Sequence, residues 1–143
     1  MNREDAKYVI NEIRWMGFYE KKANYYLEKI KTVQMQIDTC TDPHSPQGHE
    51  YIGEGKTLAF TGKDSYMNAK IAERDDKLLP EYRKWSNRFV EANVNYRMII
   101  DQTDEPEFVT DYFSKKYSAQ QLEEKYHISK AFRRILQIVM ESI

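Results

Sequence analysis

Glycine, proline and cysteine are scarce in this sequence, at five, four and one among 143 residues. The lone Cys40 has no partner for an intramolecular disulfide, which excludes a small secreted fold held by disulfide bridges. Few glycines argue against phosphate-cradling loops and against all-β folds with many tight turns. No apolar run approaches the roughly 20 residues of a membrane helix, and the opening Met1-Asn2-Arg3-Glu4-Asp5 lacks the apolar stretch of a signal peptide. A cytoplasmic protein without a membrane partner is therefore expected. Charge of one sign is missing as well: a net charge of -1 argues against a general polyanion binder, while leaving local patches open.

What is present reads as all-α. Hydrophobic residues make up 41% and charged residues 31%, a globular mixture rather than a disordered one. From Arg3 to Thr39 the apolar positions Val9, Ile13, Met16, Ala23, Leu27, Ile30 and Ile37 keep helical spacing, so one long amphipathic helix is expected. Leu78, Tyr82, Trp85, Phe89, Ala92, Tyr96 and Ile99 then alternate steps of four and three, the seam of helices packing side by side. This predicts a long antiparallel helical hairpin, a coiled-coil-like arm, with Leu78, Tyr82, Trp85, Phe89, Tyr96 and Ile99 as the surface through which copies associate into a homo-oligomer. Pro80 cannot donate a backbone hydrogen bond, so a helix over Asp64 to Leu78 should bend or restart near Leu79-Pro80.

Two breaks organise the chain. Residues 40–63 carry four of the five glycines and no apolar period, a long loop inside the arm of residues 1–101. The acidic linker at 102–106 ends in Pro106 and separates that arm from a module over 107–143.

That module reads as three short helices. Phe108, Val109, Tyr112 and Phe113 form an apolar face on the first. Ser118 is placed to cap the second, Ala119 to Tyr126, with Gln121 completing a capping box. Ser129 is expected to cap the third, with Ile128, Phe132, Ile135, Leu136 and Val139 inward and Lys130, Arg133, Arg134 and Gln137 outward. Two helices, a short turn and a helix with a basic face are the proportions of a helix-turn-helix, whose second helix docks against phosphates and base edges in a major groove.

Pro106-Glu107-Phe108-Val109-Thr110-Asp111-Tyr112-Phe113-Ser114-Lys115-Lys116, with Tyr126-His127-Ile128-Ser129 and Arg133-Arg134-Ile135-Leu136, resembles the C-terminal part of phage late-gene transcription activators of the RinA/ArpU type. Those proteins carry a helix-turn-helix patterned like the promoter-reading region of sigma factors. The resemblance implies a phage or prophage regulator, working in a bacterial cytoplasm, that binds double-stranded promoter DNA and contacts host RNA polymerase to activate late genes. It sets the recognition helix on Ser129 to Leu136, with Lys130, Arg133 and Arg134 at base and phosphate contacts. Gln137, Lys115, Lys116 and Ser118 complete the expected DNA-binding set. The turn position where that pattern carries glycine is His127, which must accept or avoid a left-handed conformation.

Other chemistry is thinner. Gly53-Glu54-Gly55-Lys56-Thr57 looks like the end of a phosphate loop, but Glu50 stands where its first glycine belongs. Asp38, Cys40, Asp42, His44 and His49 could ligate a metal, yet one thiolate and two histidines are fewer than a zinc site uses. No nucleophile sits beside a base, so neither an enzyme nor a cofactor is expected. A rival function is a small phage protein that binds and blocks a host protein, such as a defence nuclease or a replication factor. It would use the aromatic-rich arm, since tyrosine, eleven times present, provides contact area at low entropy cost.

Overall fold

The computed structural model describes residues 1–40 and 65–143. The expected loop at 40–63, the phosphate-loop fragment and most of the candidate metal ligands lie outside the described residues. Those described are mostly helical, with no strand among them, and they divide into two compact units. One comprises Met1–Glu20 with Asn87–Ile143, the other Lys21–Ser86.

Helix α1 spans Arg3–Arg14. Asn2 caps it, its Oδ1 accepting the Asp5 N–H at 2.8 Å, and Glu4 and Asp5 in the first turn oppose Arg14 in the last, in line with the helix dipole. Helix α2 spans Met16–Cys40, so the single helix expected from Arg3 to Thr39 is two. The change falls at Trp15, whose φ of -94° and ψ of 4° lie in the bridge region. Hydrogen bonding carries across it, from Trp15 N–H to Asn11 O at 3.2 Å and from Tyr19 N–H to Trp15 O at 3.0 Å. Gly17, two residues on, lowers helix propensity at the same place.

In the second unit, Val33 and Ile37 of α2 share a small core with Leu78, covered by Tyr26, Ile30, Met67 and Ile71. Arg74 Nη1 donates to Gln34 Oε1 at 2.6 Å, and Lys22 Nζ lies 6.0 Å from the centre of the Trp85 ring. Contacts therefore step in opposite directions along the two segments. Residues 65–72 are helical and lead into a π-helical turn, Glu73–Leu78. Leu79 N–H closes that turn on Arg74 O, and helix α3, Leu79–Gln102, starts with Pro80 at its second position. The register thus widens just ahead of Pro80, which has no N–H for the ladder, and the helical backbone continues through it with Pro80 in the first turn of α3.

The first unit is completed by α4, Pro106–Ser114, α5, Ala119–Tyr126, and α6, Ala131–Ser142. Its core joins Ala6, Val9, Ile10 and Ile13 of α1 to Ile99 of α3, Phe108 and Val109 of α4, Leu122 of α5, and Ala131, Ile135, Leu136, Ile138 and Val139 of α6. This corrects the expected division into an arm of 1–101 and a separate module of 107–143. Helices of nine, eight and twelve residues present more apolar face than they can cover among themselves, and α1 packs on α6 to seal it. Within this unit Arg88 donates to Glu12 Oε1 at 2.9 Å and to the Tyr19 hydroxyl at 2.8 Å. Burial, reinforced by the Glu12 carboxylate, pushes the Tyr19 hydroxyl above its usual pKa. Lys125 Nζ donates to Asp111 Oδ2 at 2.8 Å, joined by the Tyr126 hydroxyl, and ties α5 to α4.

Candidate nucleic-acid interface

The turn between α5 and α6 is built by local chemistry. Ser118 Oγ accepts the Gln121 N–H at 3.2 Å while Gln121 Oε1 accepts the Ser118 N–H at 2.8 Å, the reciprocal box the sequence predicts. At the other end of α5, His127 takes the left-handed conformation, φ 57° and ψ 45°. The His127 and Ile128 N–H groups both return to Glu123 O. A histidine therefore fills the position where helices usually end on glycine, at a steric cost of about 1 kcal/mol.

Helix α6 begins later than expected, and its inward face, which keeps Ile135, Leu136 and Val139, differs in the first turn. Its cap is Lys130, in extended backbone and with no side-chain cap bond, not Ser129. The buried stripe accordingly runs through Ala131, Ile135, Leu136, Ile138 and Val139, and Phe132, expected inward, is 41% exposed. Spacing alone could not separate the two registers, because Ala131 and Phe132 are both acceptable beside Ile135 and Val139 on a wide apolar stripe.

Around the start of α6, His127, Ile128, Ser129, Lys130, Arg133, Arg134 and Gln137 line one open concavity of about 430 Å³. Five of the expected DNA-binding residues are thus brought together: Ser129, Lys130, Arg133, Arg134 and Gln137. Lys130 and Arg133 are exposed, and neither has a carboxylate within ion-pair distance among the described residues. Arg134 differs. It is half-buried and paired with Glu105, ahead of α4, which makes it a tie within the unit rather than a free cation. Gln137 Nε2 donates to Glu141 Oε1 at 3.1 Å.

Lys115, Lys116 and Ser118 do not line this concavity. Lys115 ends α4 in left-handed backbone, φ 62°, with its Nζ 5.8 Å from the centre of the Trp15 ring. Lys116 N–H donates to Ser114 Oγ at 3.3 Å, and the Ser118 hydroxyl is engaged in its cap.

Part of the seam expected to join copies is spent inside the chain. Ile99 is fully buried in the first core and Leu78 is buried in the second. Tyr96 packs on the first core, edge-on to Phe113 at 5.7 Å. Tyr82, Trp85 and Phe89 are half-buried, with Trp85 Nε1 donating to Glu81 Oε2 at 3.2 Å. The apolar residues α3 leaves exposed are instead Val90, Val94 and Met98, one helical turn apart. Among the described residues no cluster of three or more histidine, cysteine or carboxylate side chains could hold a metal ion, and no helix is long and apolar enough to cross a membrane. Comparison with protein-family models, with curated proteins and with solved structures finds no match to this chain.

Proposed function

We propose that this protein is a phage or prophage transcription regulator that binds double-stranded promoter DNA through the first turns of α6. The observation that supports this reading is the convergence of Lys130 and Arg133, both without carboxylate partners among the described residues, with Ser129, His127 and Gln137 around one concavity at the start of a helix. The two cations meet phosphates and guanine edges, Ser129 and Gln137 add donors, and the uncapped N–H groups of the first turn face the backbone phosphates. Arg134 holds α6 against Glu105 and serves the site by orientation. The resemblance of the last third of the chain to late-gene activators supports the phage setting and host RNA polymerase as a further partner.

Fluorescence anisotropy of labelled duplexes, from the cognate region and of random sequence, tests this across a salt series. Replacing both Lys130 and Arg133 by alanine lowers the magnitude of the salt slope by about 1–2 and weakens binding to both duplexes. Arg134→Ala alone reduces thermal stability more than it changes the slope. Absence of duplex binding at about 50 mM salt, where phosphate contacts are strongest, refutes the reading.

A further inference from the structure

At the end of α1, residues distant in sequence assemble an aromatic and cationic surface. Trp15 and Phe18 are 50% and 43% exposed, their ring centroids 5.8 Å apart and edge to face, with Lys115 Nζ 5.8 Å from the Trp15 ring. Beside Trp15, Arg14 donates to the Tyr112 hydroxyl, and its guanidinium carbon lies 5.3 Å from the Tyr112 ring and 5.9 Å from that of the exposed Phe132. Neither Arg14 nor Lys115 has a carboxylate within ion-pair distance among the described residues. None of these residues lines the concavity on α6.

Exposed rings clustered at one place and rimmed by charge mark a contact surface for a macromolecule. Single-stranded nucleic acid would stack its bases on open ring faces, but Lys115 stands over Trp15 and Arg14 over Phe132, while Phe18 meets Trp15 edge-on. These contacts leave fewer ring faces open to bases, and beside the rings stand two cations with no carboxylate within ion-pair distance among the described residues. Those features match apolar side chains and carboxylates presented from one segment. We infer that this surface docks an acidic, amphipathic segment of a protein partner, with its apolar side chains against Trp15, Phe18 and Phe132 and its carboxylates at Arg14 and Lys115. The inference does not rest on the DNA reading.

The test uses the full chain carrying Trp85→Phe, which leaves Trp15 as the only tryptophan. A synthetic peptide with a leucine face and a glutamate face is titrated while Trp15 emission is followed. The same peptide with lysine for glutamate, and single-stranded oligothymidine, are run beside it. The acidic peptide shifts Trp15 emission to the blue, and its affinity falls about tenfold or more in the pair Arg14→Glu and Lys115→Glu, and again in Phe18→Ala. The lysine peptide binds only the charge-reversed pair. Phe18→Ala, at a position 43% exposed, retains its melting temperature and helical circular dichroism, so its loss of peptide affinity cannot be ascribed to unfolding. Equal affinity for acidic and basic peptides, tighter binding of oligothymidine at Trp15, or self-association abolished by Phe18→Ala would each overturn the proposal, the last in favour of a second copy.

Discussion

The sharpest consequence of the fold is that α1 belongs to the C-terminal core, and Ile10→Ala tests it. Ile10 is 1% exposed and sits in the core that includes Phe108, Ile135 and Val139. Truncation removes three carbons, worth about 2.4 kcal/mol of transfer free energy at roughly 0.8 kcal/mol each. A residual cavity of about 40–60 Å³ adds about 1–1.5 kcal/mol, because the neighbouring helices close over it only in part. The expected loss is about 3.5 kcal/mol, a large share of the roughly 5–15 kcal/mol that stabilises a typical domain. Urea unfolding followed by Trp15 emission in a Trp85→Phe background measures it within the unit concerned. Met35→Ala, at an exposed position on α2, serves as a control with a change below about 0.5 kcal/mol. A loss under about 1 kcal/mol for Ile10→Ala would refute the shared core and restore an independent module over 107–143.

Gly17→Ala should stabilise the protein by about 0.5–1 kcal/mol in thermal or urea unfolding, since Gly17 is helical and a Cβ there meets no atom within 4 Å. Ser118→Ala should cost about 1 kcal/mol by the same measurement, because it removes the acceptor that satisfies the Gln121 N–H at the start of α5. Lys125 and then Tyr126 hold the Asp111 carboxyl below its usual pKa by donating hydrogen bonds to it. The stability this carboxylate contributes is therefore fully present above about pH 4, the ordinary aspartate range, and is lost as pH falls through the lower folded value. Unfolding of wild type and Asp111→Asn compared across pH should show a difference at neutrality that shrinks below about pH 4; a difference that grows on acidification would contradict the assigned pairing.

Much of the local structure was legible because it depends on neighbours in sequence. The box between Ser118 and Gln121 and the place of Pro80 in the first turn of α3 each follow from the chemistry of a few adjacent residues, and periodicity identified an all-α chain. The candidate site was legible in part. Lys130 and Arg133 are exposed cations at the start of α6 as expected, but the expected role of Arg134 did not take account of Glu105, 29 residues earlier and in contact only once α6 has docked. The register of α6 was ambiguous for a related reason. A wide apolar stripe permits either Ala131 or Phe132 inward, and packing within the first unit selects the smaller side chain.

What the sequence alone determined, then, is the helical class, the capping box at Ser118 and the exposed cations Lys130 and Arg133, since hydrophobic period and capping chemistry act over a few residues. Tertiary structure decided the rest. It drew α1 into the C-terminal core, spent Leu78 and Ile99 on packing within the chain, and gathered Arg14, Trp15, Lys115 and Phe132 on one surface. Burial of apolar area is non-directional and indifferent to sequence separation, so it recruited whichever helix could cover α6, in this chain one from the opposite terminus.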